Sequence, residues 1–232
     1  SRPFRGPNGD SVQLVHGRTS CSEWTGVLLS VLLKECGVQS GGNWIVAEGS
    51  ESNKYTMSLP MVKALDDTLV AYAQNGEPVR PHNGYPLRLV VPGWEAIRSV
   101  KWLSRIELAD QPFMTREETA KYTDPLPDGT ARIFSLDMDA KSLITEPSFP
   151  DKLTGPGWWE IRGIAWSGRG KIAKVEVIAD GGKTWQVAKL DDPVLPKCHT
   201  RFRLPFEWKG GETMIASRAT DETGYMQPTY DV

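Results

Sequence analysis

The period of the apolar positions changes several times along the chain. Trp24, Val27, Leu28, Val31 and Leu32 recur at helical spacing, which predicts a first helix after Cys21-Ser22-Glu23, capped by Ser20 or Ser22 and ended by Gly37. Residues 44–47 (Trp-Ile-Val-Ala) predict a short buried strand, residues 56–59 another before Pro60, and residues 61–65 a helical turn. Residues 69–72 read as a strand running into Asn75-Gly76, a strong tight-turn pair. Residues 78–86 are extended and punctuated by Pro; residues 87–91 form an apolar run interrupted by Arg88 and stopped by Pro92-Gly93. Residues 100–103 and 106–108 predict a further strand region. Helices and strands do not alternate regularly, so a doubly wound parallel sheet is disfavoured.

The pattern then changes. Residues 117–129 are polar and Pro-rich and read as a loop or linker. From Ile144 onward the segments 158–161, 164–166, 172–179, 184–189, 200–204 and 213–219 carry β-formers or alternate, with turn residues at roughly 8–12-residue intervals, as in a sandwich. Asp180-Gly181-Gly182 between two such strands predicts a hairpin turn. The reading is α+β: a mixed domain over residues 1–130, then an all-β immunoglobulin-like sandwich over residues 131–232, with the boundary between about 125 and 140.

Composition narrows the function classes. The 232 residues are 39% hydrophobic and 24% charged with formal net charge -2 and no basic stripe, which argues against a nucleic-acid partner. No apolar run approaches the roughly 18 residues of a membrane-spanning helix, so no membrane association is expected. Three cysteines (Cys21, Cys36, Cys198) form no CxxC pair, and three histidines (His16, His82, His199) are scattered, so a zinc site or disulfide framework is not expected. No CxxCH occurs, so no haem is attached to this chain. Nine tryptophans and 17 prolines point to many short elements with buried aromatic anchors. One cationic cluster stands out: Arg88, Arg98 and Lys101 lie within fourteen residues around Pro92-Gly93. On spacing alone they also read as solvated strand ends.

Several segments resemble one family. Residues 84–103 (GYPLRLVVPGWEAIRSVKWL) resemble the cofactor-binding stretch of the sulfite oxidase family of molybdopterin enzymes. Residues 142–147 (SLITEP), 163–190 (GIAWSGRGKIAKVEVIADGGKTWQVAKL) and 217–228 (SRATDETGYMQP) are similar to that family's dimerisation domain, and residues 20–29 (SCSEWTGVLL) to the segment after its molybdenum-cysteine motif. The wording of SCSEWTGV and KYTD is closest to the molybdenum subunit of bacterial sulfite (sulfane) dehydrogenases.

The resemblance implies a Mo-molybdopterin (pyranopterin) cofactor with a terminal phosphate. Arg88, Arg98 and the Ser99-Val100-Lys101 run would hold the pterin and its phosphate through a guanidinium fork, a point charge and backbone N–H groups. Asn83 stands where the commoner family pattern has His, and either Glu51 or Asn53 falls where the family has an Asp on the pterin. Tyr122 matches an active-site tyrosine beside the metal's oxygen ligands. Arg203 or Arg201 would receive the anionic substrate, because a guanidinium matches two oxyanion oxygens. The thiolate that ligates molybdenum is expected just upstream of Ser1, so the chain reads as N-terminally incomplete; Cys21 is a fallback ligand and a buried structural thiol by default.

The implied activity is oxidation of sulfite or a protein-bound sulfane sulfur by oxygen-atom transfer in the periplasm, with electrons passing to a c-type cytochrome and the chain acting as a homodimer. Two other expectations stand beside it: a non-catalytic dimerisation or docking module, and a related molybdopterin reductase acting on nitrate or a sulfoxide.

Overall fold

The computed structural model describes residues 11–133 and 136–228. It divides into two compact units: Ser22–Asp137, and Met138 onward together with the described residues up to Cys21. The division at Asp137 lies within the range of about 125 to 140 given for the boundary, and residues 11–21 group with the second unit.

That second unit begins with helix α1 (Val12–His16), whose N-cap Ser11 accepts from the Leu14 amide at 3.3 Å. The chain then enters the first unit through β1 (Trp24–Leu28) and α2 (Leu29–Cys36). A single helix was expected across both. Trp24-Thr25-Gly26-Val27 instead pairs antiparallel with β4 (Leu69–Gln74), because Trp24 and the β-branched Thr25 and Val27 suit a strand and a partner strand lies beside them. A Cβ on Gly26 would lie 2.4 Å from the Val70 carbonyl oxygen, so only glycine lets the strands approach here. Gly37, at φ 73°, ends α2 as expected.

β2 (Trp44–Gly49) pairs with β3 (Thr56–Pro60) and with β7 (Leu103–Ala109). Helix α3 (Met61–Asp66) follows β3 directly. β4 turns through Asn75 and Gly76, both at positive φ as a tight hairpin turn requires, into β5 (Glu77–Pro78), and also pairs with β6 (Arg88–Val90). The two small sheets enclose one core of Leu29, Leu33, Ile45, Met57, Leu59, Leu89 and Val100. The stretch read as a loop from 117 to 129 holds most of helix α4 (Arg116–Ala120) and β8 (Thr123–Pro125), which pairs with β9 (Ala131–Ile133) just beyond it. A reciprocal capping box between Thr115 and Glu118 nucleates that helix despite its polar composition.

In the second unit β10 (Lys141–Glu146), β11 (Gly157–Trp166), β15 (Thr200–Trp208) and β14 (Lys189–Leu190) form one sheet. β13 (Gln186–Val187), β12 (Ile172–Ile178) and β16 (Ala216–Asp221) form the other. Alternation along β15 points Phe202, Leu204 and Phe206 inward and Arg201 outward. They meet Ile161, Val175, Val177 and Ala219 in a core between the sheets. Every strand pairing among the described residues is antiparallel.

Candidate functional site

Arg88 opens β6, where strand alternation would leave it half solvated, yet it is only 8% exposed. Its guanidinium donates from Nη1 to the Asn83 carbonyl (2.9 Å), from Nη2 to the Ser99 carbonyl (3.2 Å) and from Nε to the Leu89 carbonyl (3.5 Å). It also stacks over the Trp24 ring, 4.6 Å from the centroid. Burial lowers its pKa to about 10. Among the described residues no carboxylate pairs with it, and three of the five N–H donors of an Arg are used. A desolvated cation held by carbonyl dipoles and a ring face, with no counter-charge among the described residues, favours an anionic ligand.

The backbone around it is tightly folded. A 3-10 turn at Pro81–Asn83 ends at Gly84, φ 109°, where a Cβ would sit 2.9 Å from Lys101 Cβ and 3.0 Å from the Trp102 nitrogen. Lys101 Nζ donates to the His82 carbonyl (2.9 Å), and Trp102 Nε1 to the Pro81 carbonyl (2.8 Å). Asn83 Nδ2 donates to Gln74 Oε1 at 2.8 Å, which fixes its side chain, and Gln74 is itself held by donating to Ser22 Oγ. Glu51 is drawn to the same neighbourhood. Its Oε1 accepts from the Tyr55 amide (3.1 Å), while its buried Oε2 has no hydrogen-bond partner among the described residues. A Cβ on Gly49 would lie 2.2 Å from that Oε2 and 2.6 Å from the Lys101 carbonyl oxygen. Asn53, the other candidate at this position, is exposed.

Glu51, Asn83, Arg88 and Lys101 therefore come together, and three other expected members do not join them. Arg98 faces the interior: at 5% exposure its Nη1 donates to the Ser58 carbonyl (2.6 Å) and to Glu118 Oε1 (2.5 Å). The Ser99 and Val100 amides were expected to bind phosphate, but they are spent within the turn, on the Ala96 and Arg98 carbonyls at 3.1 Å each. The Ser99 hydroxyl in turn accepts from the Val91 amide at 3.1 Å. The 3-10 turn at Ala96–Arg98 uses these groups to close itself and so removes them from the donor set.

Tyr122 is half-buried against the first core, beside Tyr55. Burial, with Tyr122 as a neighbour, pushes the Tyr55 phenol well above its usual range, and its hydroxyl donates to the Ile97 carbonyl at 3.0 Å. In the second unit, Arg203 Nε lies 3.0 Å from Asp191 Oδ1, and Arg201 is exposed on the same strand. Cys21, the fallback ligand, is exposed, and its Sγ lies 3.0 Å from Cys198 Sγ. Among the described residues no group of three His, Cys, Asp or Glu side chains could hold a metal ion. A cavity of about 940 Å³ between α2 and β7, lined by Leu29, Leu33, Leu87, Leu103, Ile106 and Leu108, includes none of the candidate residues.

The sequence placed Trp24 in the apolar pattern of the first helix. Its role under Arg88, and the roles of Gln74 and Trp102 in fixing Asn83 and the Pro81 turn, carried no signal in spacing or residue type.

What remains unspent is a pair of complementary features. Glu51 Oε2 accepts, and Arg88 and Lys101 are cationic. A ligand with an N–H edge and an anionic group satisfies both, and a phosphorylated pterin is such a molecule.

Comparison with known proteins places both parts of the chain in known domain families. Residues 3–117 match the oxidoreductase molybdopterin binding domain, and residues 132–232 the Mo-co oxidoreductase dimerisation domain. The chain is similar to the NADH nitrate reductase of Solanum lycopersicum, 34% identical over 250 residues (90% of this chain, 27% of that protein). It is likewise similar to the inducible NADH nitrate reductase 2 of Glycine max, 35% identical over 247 residues (90% of this chain, 28% of that protein). Among solved structures, the sulfane dehydrogenase SoxCD from Paracoccus pantotrophus superposes with a TM-score of 0.94 at 47% identity, covering 99% of this chain and 59% of that one. The chain thus spans little more than a quarter of these curated relatives and about three fifths of the solved chain.

Proposed function

The chain belongs to the sulfite oxidase family of molybdopterin oxidoreductases, its molybdopterin-binding domain followed by a Mo-co dimerisation domain, and from that premise we propose that it serves sulfur oxidation. The substrate class is sulfite or a protein-bound sulfane sulfur, the electron acceptor is a c-type cytochrome, and the compartment is the periplasm. What supports the sulfur reading over the nitrate one is the 47% identity to a sulfane dehydrogenase across nearly the whole chain, against 34% and 35% to the nitrate reductases.

When bound, the molybdenum–pyranopterin cofactor supplies oxygen-atom transfer and two-electron redox chemistry. The observation that carries its assignment to this chain is the buried Arg88, in the same neighbourhood as the buried Glu51 Oε2, neither with a counter-charge or hydrogen-bonding side chain on it among the described residues. Arg88 and Lys101 would neutralise the phosphate end, and Glu51 would accept from the pterin's N–H edge. Asn83, held by Gln74, adds a positioned amide. Tyr122 would donate a hydrogen bond to oxygen near the metal. Arg203 would receive a sulfur oxyanion, which must compete with Asp191 for the guanidinium. The all-β unit is taken as an immunoglobulin-like module that pairs two copies of the chain.

The nitrate reductase relatives favour a second reading, reduction of nitrate on the same cofactor site. One experiment separates the two. The molybdenum-loaded protein is assayed for sulfite- and sulfane-dependent reduction of ferricytochrome c, and in parallel for nitrate-dependent oxidation of a reduced dye. Sulfur-dependent turnover alone is expected. Nitrate turnover without it would transfer the assignment to the second reading, and absence of both would leave a docking or dimerisation module.

A further inference from the structure

The two thiols at Cys21 and Cys198 are 177 positions apart in sequence, yet their sulfurs lie 3.0 Å apart. They bring together the two stretches of one compact unit: Cys21 ends the early stretch, and Cys198 stands in the loop leading into β15. The approach is not isolated. Thr19 Oγ1 and His199 Nε2 are 2.9 Å apart, and the His199 ring lies 5.2 Å from that of Trp166. The residues on both sides of the sulfur pair are thus already docked, so a bond between the sulfurs needs a shift of roughly 1 Å, given an S–S length of about 2.05 Å.

We propose that Cys21 and Cys198 are a disulfide-forming pair, closed by thiol–disulfide exchange with an external disulfide, and that the bond clips the early stretch of this unit to the loop before β15. Exposed Cys21 is the first to react. Its thiolate attacks one sulfur of the external disulfide; that S–S bond breaks, a mixed disulfide forms on Cys21, and one thiolate leaves. Cys198 then loses its proton to water and attacks Cys21 Sγ, expelling the second thiolate. Two electrons pass to the external disulfide and two protons leave the cysteines. Burial and the hydrogen bond with Cys21 push the Cys198 thiol up to about 11, consistent with Cys198 acting second and only on a sulfur already beside it.

The third thiol, exposed Cys36 on the last turn of α2, is the internal reference. The reduced full chain is treated with oxidised glutathione under native conditions, and its peptides are mapped by mass spectrometry without reduction. The expected result is a Cys21–Cys198 linked peptide lighter by two hydrogen atoms than its free parts, with glutathione on Cys36. Cys198→Ser should leave Cys21 carrying one stable glutathione. Glutathione on both Cys21 and Cys198 of the wild type, or both left as thiols while Cys36 is modified, would overturn the proposal.

Discussion

Arg88 is the side chain on which the candidate site turns, and its surroundings fix what its replacement does. Arg88→Met leaves the Asn83 and Ser99 carbonyls short of a donor, a cost of about 1–3 kcal/mol. It also removes the buried cation, so cofactor affinity should fall roughly tenfold or more, as loss of a hydrogen bond to a charged group implies. Arg88→Lys should restore charge without the fork and recover only part of the loss. Pterin content per chain and the urea midpoint measure the two effects, and full pterin content in Arg88→Met would sink the assignment. Arg98 plays the opposite part. Burial raises the Glu118 pKa, but hydrogen bonds from Ser58 and Thr115 and the Arg98 charge outweigh it, so the carboxyl titrates below its ordinary value. A depressed folded pKa stabilises the protein above the unfolded value of about 4.3 and loses that stability as pH falls through the folded one. Glu118→Gln should therefore cost about 3–5 kcal/mol at neutral pH and flatten part of the acid loss expected in wild-type urea midpoints below about pH 4. Arg88, Lys101 and either Glu51 or Asn53 were named through the family resemblance, which rests on residue identity alone. Nothing in it revealed that the Ser99 and Val100 amides are consumed, since that follows from the closure of a 3-10 turn and not from residue type.

Among the elements, the sandwich strands were legible, because one buried and one wet face write a period of two into the sequence. The segments 158–161 and 164–166 proved to be one ten-residue strand, β11. The glycine that interrupted the reading, Gly163, marks the point where Phe202 crosses it: a Cβ there would lie 2.2 Å from Phe202 Cζ and from the Leu143 carbonyl oxygen. Gly163→Ala should cost about 1–3 kcal/mol from overpacking, read as a lower urea midpoint with an unchanged slope. A loss under half a kcal/mol would show that the ring yields freely. The elements misread were those where local pattern and tertiary partner disagree. Trp24 to Leu32 has helical spacing, but its first half is claimed by the edge of β4. Residues 116–120 look like linker, yet two side chains of a capping box and a buried ion pair hold them as helix.

For the whole molecule, the dimerisation domain predicts a two-chain mass in sedimentation equilibrium at micromolar concentration; a single-chain mass there would count against pairing through this unit. The sequence carried the order of the two domains but not the return of residues 11–21 to the second, because no local period reports a partner far along the chain. That return has a consequence for synthesis on the ribosome. His16 is made 125 residues before its partner Lys141, and Thr19 180 residues before His199. At about 5–20 residues per second, Thr19 waits roughly 10–35 s for the loop that receives it. The sandwich unit is therefore a structure whose first-made piece is among the last to be placed, and its completion is timed by translation as much as by folding.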